Sequence, residues 1–99
     1  MRVNPVYARR IDDNQNEVVA ALRKIGATVR IITQGDGLPD LLVGFQGRTY
    51  LMELKDGNKP PSARRLTEAE EKFHSTWAGG SLYIVTSAQQ AVDILMAKE

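Results

Sequence analysis

Cysteine is absent from the 99-residue chain, and histidine occurs once. The first absence excludes a disulfide framework and any thiolate metal site, and it suits a reducing cytosol. No apolar run approaches the roughly 20 residues needed to cross a bilayer. The opening MRVNPVYARR lacks the apolar core of a signal peptide. Neither an internal repeat nor a low-complexity stretch is present, and 42% hydrophobic with 25% charged residues is the balance of a folded globular chain. Charge of one sign is lacking too: the formal net charge is +1. Its distribution is uneven, however. Arg9 and Arg10 are adjacent, and Lys55, Lys59, Arg64 and Arg65 fall in one short stretch. Glu68, Glu70 and Glu71 carry much of the balancing acid, with Asp12, Asp13 and Asp36. A basic patch is compatible with that arrangement, and so is a plainly solvated surface.

The length suits a single domain over 1–99, with residues 1–11 as a polar, aperiodic, flexible arm. Asp12 or Asp13 can cap a helix running to about Ile25, whose apolar stripe is Val18, Ala21, Leu22 and Ile25 and which Gly26 stops. Thr28–Ile32 is β-branched and reads as a strand. A turn over Gln34–Gly37 follows. Two further strands, Pro39–Gly44 and Thr49–Lys55, flank Phe45–Arg48, where Gly47 supplies the positive φ of a tight hairpin. The stretch from Asp56 to Arg65 holds two prolines and a glycine and cannot continue a strand. Thr67 and Glu70 have capping-box spacing for a helix with an Ala69, Phe73, Trp77 stripe, which Gly79 and Gly80 end. Ser81–Thr86 is nearly all apolar, as a strand buried on both faces would be. Ser87 and Gln90 repeat the capping-box spacing ahead of a last helix through Met96. The order is α-β-β-β-α-β-α: an antiparallel three-stranded meander, then a fourth strand reached by a helical crossover, right-handed if that strand lies parallel to the third.

The chemistry-bearing residues are Asp40 and the triplet Glu53-Leu54-Lys55. A hairpin centred on Gln46 and Gly47 puts Asp40 opposite Glu53, with their Cβ atoms about 5 Å apart on one face. Two carboxylates so placed repel each other unless a divalent cation lies between them. Lys55 follows Glu53 at strand period and shares its face. Asp, Glu and Lys on one face make a hydrolytic phosphodiester site. The two acids would hold Mg²⁺ through oxygen, and the lysine would orient water or stabilise the transition state. Each piece alone has an ordinary explanation, since an exposed Glu-x-Lys is usually a solvated pair and an Asp after Pro a turn residue.

GDGLPDLLVG followed by YLMELK, after a helix and a strand, resembles the PD-(D/E)XK nuclease superfamily. Within it the chain is most similar to the VRR-NUC (virus-type replication-repair nuclease) group and the related Holliday-junction resolvases. The resemblance covers roughly Asp12 to Leu95. It implies a restriction-endonuclease-like α/β fold with an αβββαβα core, in which helices flank a mixed four-stranded sheet. It also implies a Mg²⁺-dependent endonuclease (Mn²⁺ substituting) acting on branched or structured DNA in phage or bacterial replication and repair, in the cytoplasm. Carried over by position, Asp40 and Glu53 become metal ligands, Lys55 the catalytic lysine, and the Leu54 main-chain carbonyl a further ligand. The acidic site residue that many relatives carry on the first helix falls on Gln15 or Glu17, which flank opposite sides of the Val18–Leu22 stripe. Partners implied are DNA and a second copy of the chain, because cutting two strands symmetrically needs two sites and a C₂ dimer supplies them. No membrane and no small-molecule cofactor are implied. The rival class is a nuclease fold used only for binding DNA or protein.

Lys59, Arg64 and Arg65 follow the catalytic strand and are placed to meet backbone phosphates, as are Arg9 and Arg10 from the arm. Glu70 sits where relatives often carry glutamine, although its capping-box role explains it well enough. His74 reads as a partly buried structural histidine and Trp77 as a core residue. Asp36 and Asp56 read as turn acids.

Overall fold

The computed structural model describes residues 13–97, so the expected arm, with Arg9, Arg10 and Asp12, lies outside the described residues. Its elements are α1 (Gln15–Lys24), β1 (Thr28–Ile31), β2 (Leu41–Phe45), β3 (Arg48–Leu54), a single 3₁₀ turn (Pro61–Arg64), α2 (Glu68–Thr76), β4 (Leu82–Val85) and α3 (Ala88–Met96). They form one mixed sheet in the order β1-β2-β3-β4, antiparallel except for the parallel β3–β4 pair. This is the αβββαβα, restriction-endonuclease-like architecture.

Alternation in the strands decides what each face of the sheet meets. Val29, Leu41, Val43, Tyr50, Met52, Leu54 and Val85 point one way and are buried against Val18, Val19 and Leu22 of α1 and Ala91 and Leu95 of α3. Glu53 falls out of phase with Met52 and Leu54 and so faces the other side, where α2 lies. No residue of α2 is fully buried. The Ala69, Phe73, Trp77 stripe is therefore not a core stripe. Trp77 ends the helix as its C-cap, 39% exposed, and stacks on Phe73 with ring centroids 5.3 Å apart. Its indole N–H donates to the Gly80 carbonyl at 2.9 Å, which holds the ring over the chain's exit rather than in the core. The thin cover also leaves Ile84, beside Glu53 on that face, exposed. Tyr83, on the opposite face, is exposed because β4 is the sheet's edge, so the strand is not buried on both faces.

α1 begins at Gln15 with Asn14 as N-cap rather than Asp12 or Asp13, and the Asn14 side chain makes no capping bond. Its amide instead donates to the carbonyls of Lys55 (3.2 Å) and Thr86 (3.1 Å), tying the helix start to the ends of β3 and β4. The hairpin register is the one required to oppose the acids: Leu41 pairs with Met52, and Phe45 with Arg48 across a two-residue turn. Gln46 (φ 50°) and Gly47 (φ 80°) both adopt the positive φ of the turn type that matches strand twist.

Gly37 joins the turn before β2 to α2. Its φ is +99°, and a Cβ there would run into the main-chain carbonyl of Ala69. Gly37→Ala should destabilise the domain by about 1–3 kcal/mol, read from its denaturant midpoint. A neutral result would mean that α2 does not dock there.

Candidate active site

β2 gives out just short of the site. Pro39 carries no N–H, and the Asp40 N–H donates to the Met52 carbonyl (3.0 Å), the oxygen opposite Leu41 rather than one opposite Asp40. The backbone of Asp40 has thus shifted against β3, while its carbonyl still accepts the Ile32 N–H at 2.8 Å on the β1 side. Its carboxylate fills the gap: Oδ2 accepts the Leu54 N–H at 2.8 Å, and Oδ1 accepts the Thr33 hydroxyl at 2.9 Å. Asp40 and Glu53 are brought together as expected, but through a side chain standing in for a strand carbonyl. Because N–H and C=O of one strand residue point the same way, the Leu54 carbonyl faces Asp40 too.

Glu53 is 1% exposed, and its Oε1 has no hydrogen-bond partner. Burial first, then the charges of Asp40 and Glu70, push its carboxyl from an ordinary 4.5 up to about 10. Without a cation it holds a proton at neutral pH.

Lys55 is buried, and its ammonium donates to Glu70 Oε1 at 2.8 Å. The same oxygen accepts the Thr67 N–H at 2.8 Å, and the Thr67 hydroxyl accepts the Glu70 N–H, so the capping box is complete. Glu70 is therefore both a cap and a member of the cluster. Burial pushes its pKa up, but the bonds from Lys55 and Thr67 outweigh burial and hold it below the usual value.

His74, one helical turn after Glu70, also enters the cluster. Its Nε2 is buried, lacks a partner, and lies 3.9 Å from Glu53 Oε1. Burial holds the imidazole below its usual pKa, with Lys55 adding to this and Glu70 opposing. The imidazole at that site is neutral near pH 7. The expectation of a purely structural histidine thus misses where it points. The available signal was the i, i+4 spacing of Glu70 and His74, which puts both on one helix face. Thr33 and Asn14 carry no motif, and only the fold reveals them.

The remaining expectations divide. Gln15 is buried and Glu17 exposed, so of the two only Gln15 lies on the inward side of α1. Lys59 sits 3.5 Å from Asp13, and the Arg64 Nε–H donates to the Lys59 carbonyl at 2.8 Å, folding that arginine back over its own loop. Arg65 is exposed. The Asp36 and Asp56 carboxylates cap local turns by accepting the N–H groups of Leu38 and Asn58.

Among the described residues, no three histidine, cysteine or acidic side chains form a metal cluster by themselves. A cation held here would therefore need main-chain oxygen in addition to side chains. No described helix is long and apolar enough to cross a membrane.

The element order, with an acid pair where β2 and β3 part and a lysine in phase with the second acid, defines a nuclease fold of the restriction-endonuclease type. A solved structure described as a VRR_NUC domain superimposes with a TM-score of 0.56 and 26% identity, over 87% of this chain and 98% of that one. Fold, site and likeness together support a kinship of the chain with the VRR-NUC nuclease domains. No protein-family model and no curated protein matches the sequence.

Proposed function

We propose that this domain hydrolyses DNA phosphodiester bonds with a divalent cation, Mg²⁺ or Mn²⁺, held by Asp40, Glu53 and the Leu54 carbonyl. The observation that carries the reading is Glu53: a carboxylate 1% exposed, unpartnered at Oε1 and set beside other acids. Burying such a group is costly without a cation. These oxygen donors suit a hard ion, which when bound supplies Lewis acidity for water and phosphoryl oxygens. The chain's own residues do the rest. Asp40 is oriented by Thr33 and Leu54, and the Lys55 ammonium, with one donor on Glu70, keeps two for a reacting phosphate or water. Branched or structured DNA, a cytoplasmic setting in a bacterial or phage-infected cell, and a homodimer with two sites complete the proposal.

The test is cleavage of single-stranded, duplex, flap and four-way-junction DNA, with Mg²⁺ and with excess EDTA. Metal-dependent cutting of a branched substrate is expected. Undiminished cutting in EDTA would overturn the metal site, and tight binding without any cutting would make the chain a binding module. Arg65, being exposed, is assigned to flanking phosphates. Arg65→Ala should lower DNA affinity and reduce the salt dependence of binding by a log–log slope of about one. At saturating protein the cutting rate should hold, and a lost rate with unchanged binding would place Arg65 in the reaction instead.

A further inference from the structure

Glu53 Oε1 and His74 Nε2 are both buried, both without a hydrogen-bond partner, and face each other across 3.9 Å. That separation is too long for a hydrogen bond. Leaving even one such atom unsatisfied is costly, and here two share one gap. A carboxylate oxygen and an imidazole nitrogen are both ligand atoms for a metal, so the gap suits a cation. Two metal–ligand bonds of about 2.1 Å each are long enough to reach across it. Asp40 has each oxygen engaged once, by Leu54 and Thr33, and offers its remaining lone pairs. The freest donors in the cluster are therefore one carboxylate oxygen and one imidazole nitrogen. The ring's placement is set from α2, where Phe73 packs edge-on against it with centroids 6.4 Å apart.

We propose that His74 is a nitrogen ligand of this cation site, making it a mixed oxygen–nitrogen centre that binds first-row transition ions, Mn²⁺ and Co²⁺, more tightly than Mg²⁺. The inference rests on the reading that Asp40 and Glu53 hold a divalent ion. Mg²⁺ prefers oxygen donors and gains little from an imidazole, whereas transition ions gain from it. His74 thus sets which metal the site prefers, and Mg²⁺ competes through abundance.

Binding of Mg²⁺, Mn²⁺ and Co²⁺ to the whole protein is measured by calorimetry for the wild type, His74→Ala, His74→Gln and Glu53→Gln. Pulsed electron paramagnetic resonance of the Mn²⁺ complex reports nitrogen at the metal. Circular dichroism checks that each variant is folded. The wild type is expected to favour Mn²⁺ and Co²⁺ over Mg²⁺ and to show a ¹⁴N coupling. In both His74 variants the coupling should vanish and transition-metal affinity fall by at least about tenfold, while Mg²⁺ affinity changes much less. If the wild type shows no ¹⁴N coupling and the His74 variants keep its metal preference, His74 is not a ligand. The Asp40–Glu53 site would still stand in that case, provided Glu53→Gln abolished binding. A wild type that binds none of the three ions would overturn the proposed function itself.

Discussion

Glu53→Gln should abolish cleavage, by at least about a thousandfold, and at the same time make the metal-free protein more stable at neutral and alkaline pH. The sign follows from a carboxyl raised from 4.5 to about 10 by burial, Asp40 and Glu70. Between those values the unfolded chain has released a proton that the folded chain retains. Stability therefore falls as pH rises, by up to about 1.4 kcal/mol per pH unit. From pH 6 to pH 8 in EDTA the wild type should lose on the order of 2–3 kcal/mol, a drop of roughly 10–20 °C in melting temperature. The glutamine variant has no such proton to hold, and its melting temperature should stay nearly level over the same range. A saturating divalent ion should restore the wild type at pH 8 and leave the variant unmoved. Asp40→Asn should also end cleavage, although its amide retains an oxygen for only one of the two bonds that Leu54 and Thr33 now donate. A wild-type melting temperature that did not fall with pH in EDTA would show Glu53 already ionised, and the proposed need for a cation would go with it.

Lys55→Ala should lower the single-turnover rate by about 10²–10³ while DNA affinity changes little. Stability should suffer as well. The ammonium is 2.8 Å from Glu70 in a largely buried pair, and removing it leaves Asp40, Glu53 and Glu70 clustered without their lysine. Breaking a buried pair from one side costs about 3–5 kcal/mol. Adding Glu70→Gln to Lys55→Ala should recover part of that stability, since the amide oxygen can still accept the Thr67 N–H and preserve the helix start. The cleavage rate should not recover. A denaturation cycle over the two single variants and the double variant measures the coupling. If the lysine variant were unstable yet cut at the normal rate once folded, Lys55 would serve only as the counter-charge of Glu70.

What could be read from the sequence follows period and turn chemistry. Gln46–Gly47 admits a two-residue turn, alternation leaves one register that buries Leu41, Val43, Tyr50 and Met52, and that register carries Asp40 toward Glu53. Lys55 then follows by parity. Capping chemistry was equally legible at Thr67–Glu70. Ser87 accepts the Gln90 N–H as expected, but Gln90 reaches past the cap to the Thr86 N–H, so the second box is incomplete. Features that depend on a neighbour's position were not legible. Exposure of Ile84 and Trp77 follows from how thinly α2 covers the sheet, which no helical stripe reveals. Asn14 lies one residue past the expected cap because its amide has carbonyls from two strands to satisfy. Local chemistry alone accounts for Glu70 as a cap and for His74 as a structural residue. Only packing of α2 over the end of β3 turns both side chains toward Glu53.

The hairpin that unites the acids also bears on the order of folding. With only a two-residue turn between them, β2 and β3 can zip without help from distant parts of the chain, whereas β4 and α2 must close longer loops. Asp40 and Glu53 therefore meet early, before Lys55 has found Glu70. The first native unit to form is the one that concentrates like charge, and refolding in EDTA should be slowed by rising pH more than the helices alone would suggest. If the proposed divalent ion binds, its presence during refolding should relieve that crowding from the start and make it a nucleating template for the chain.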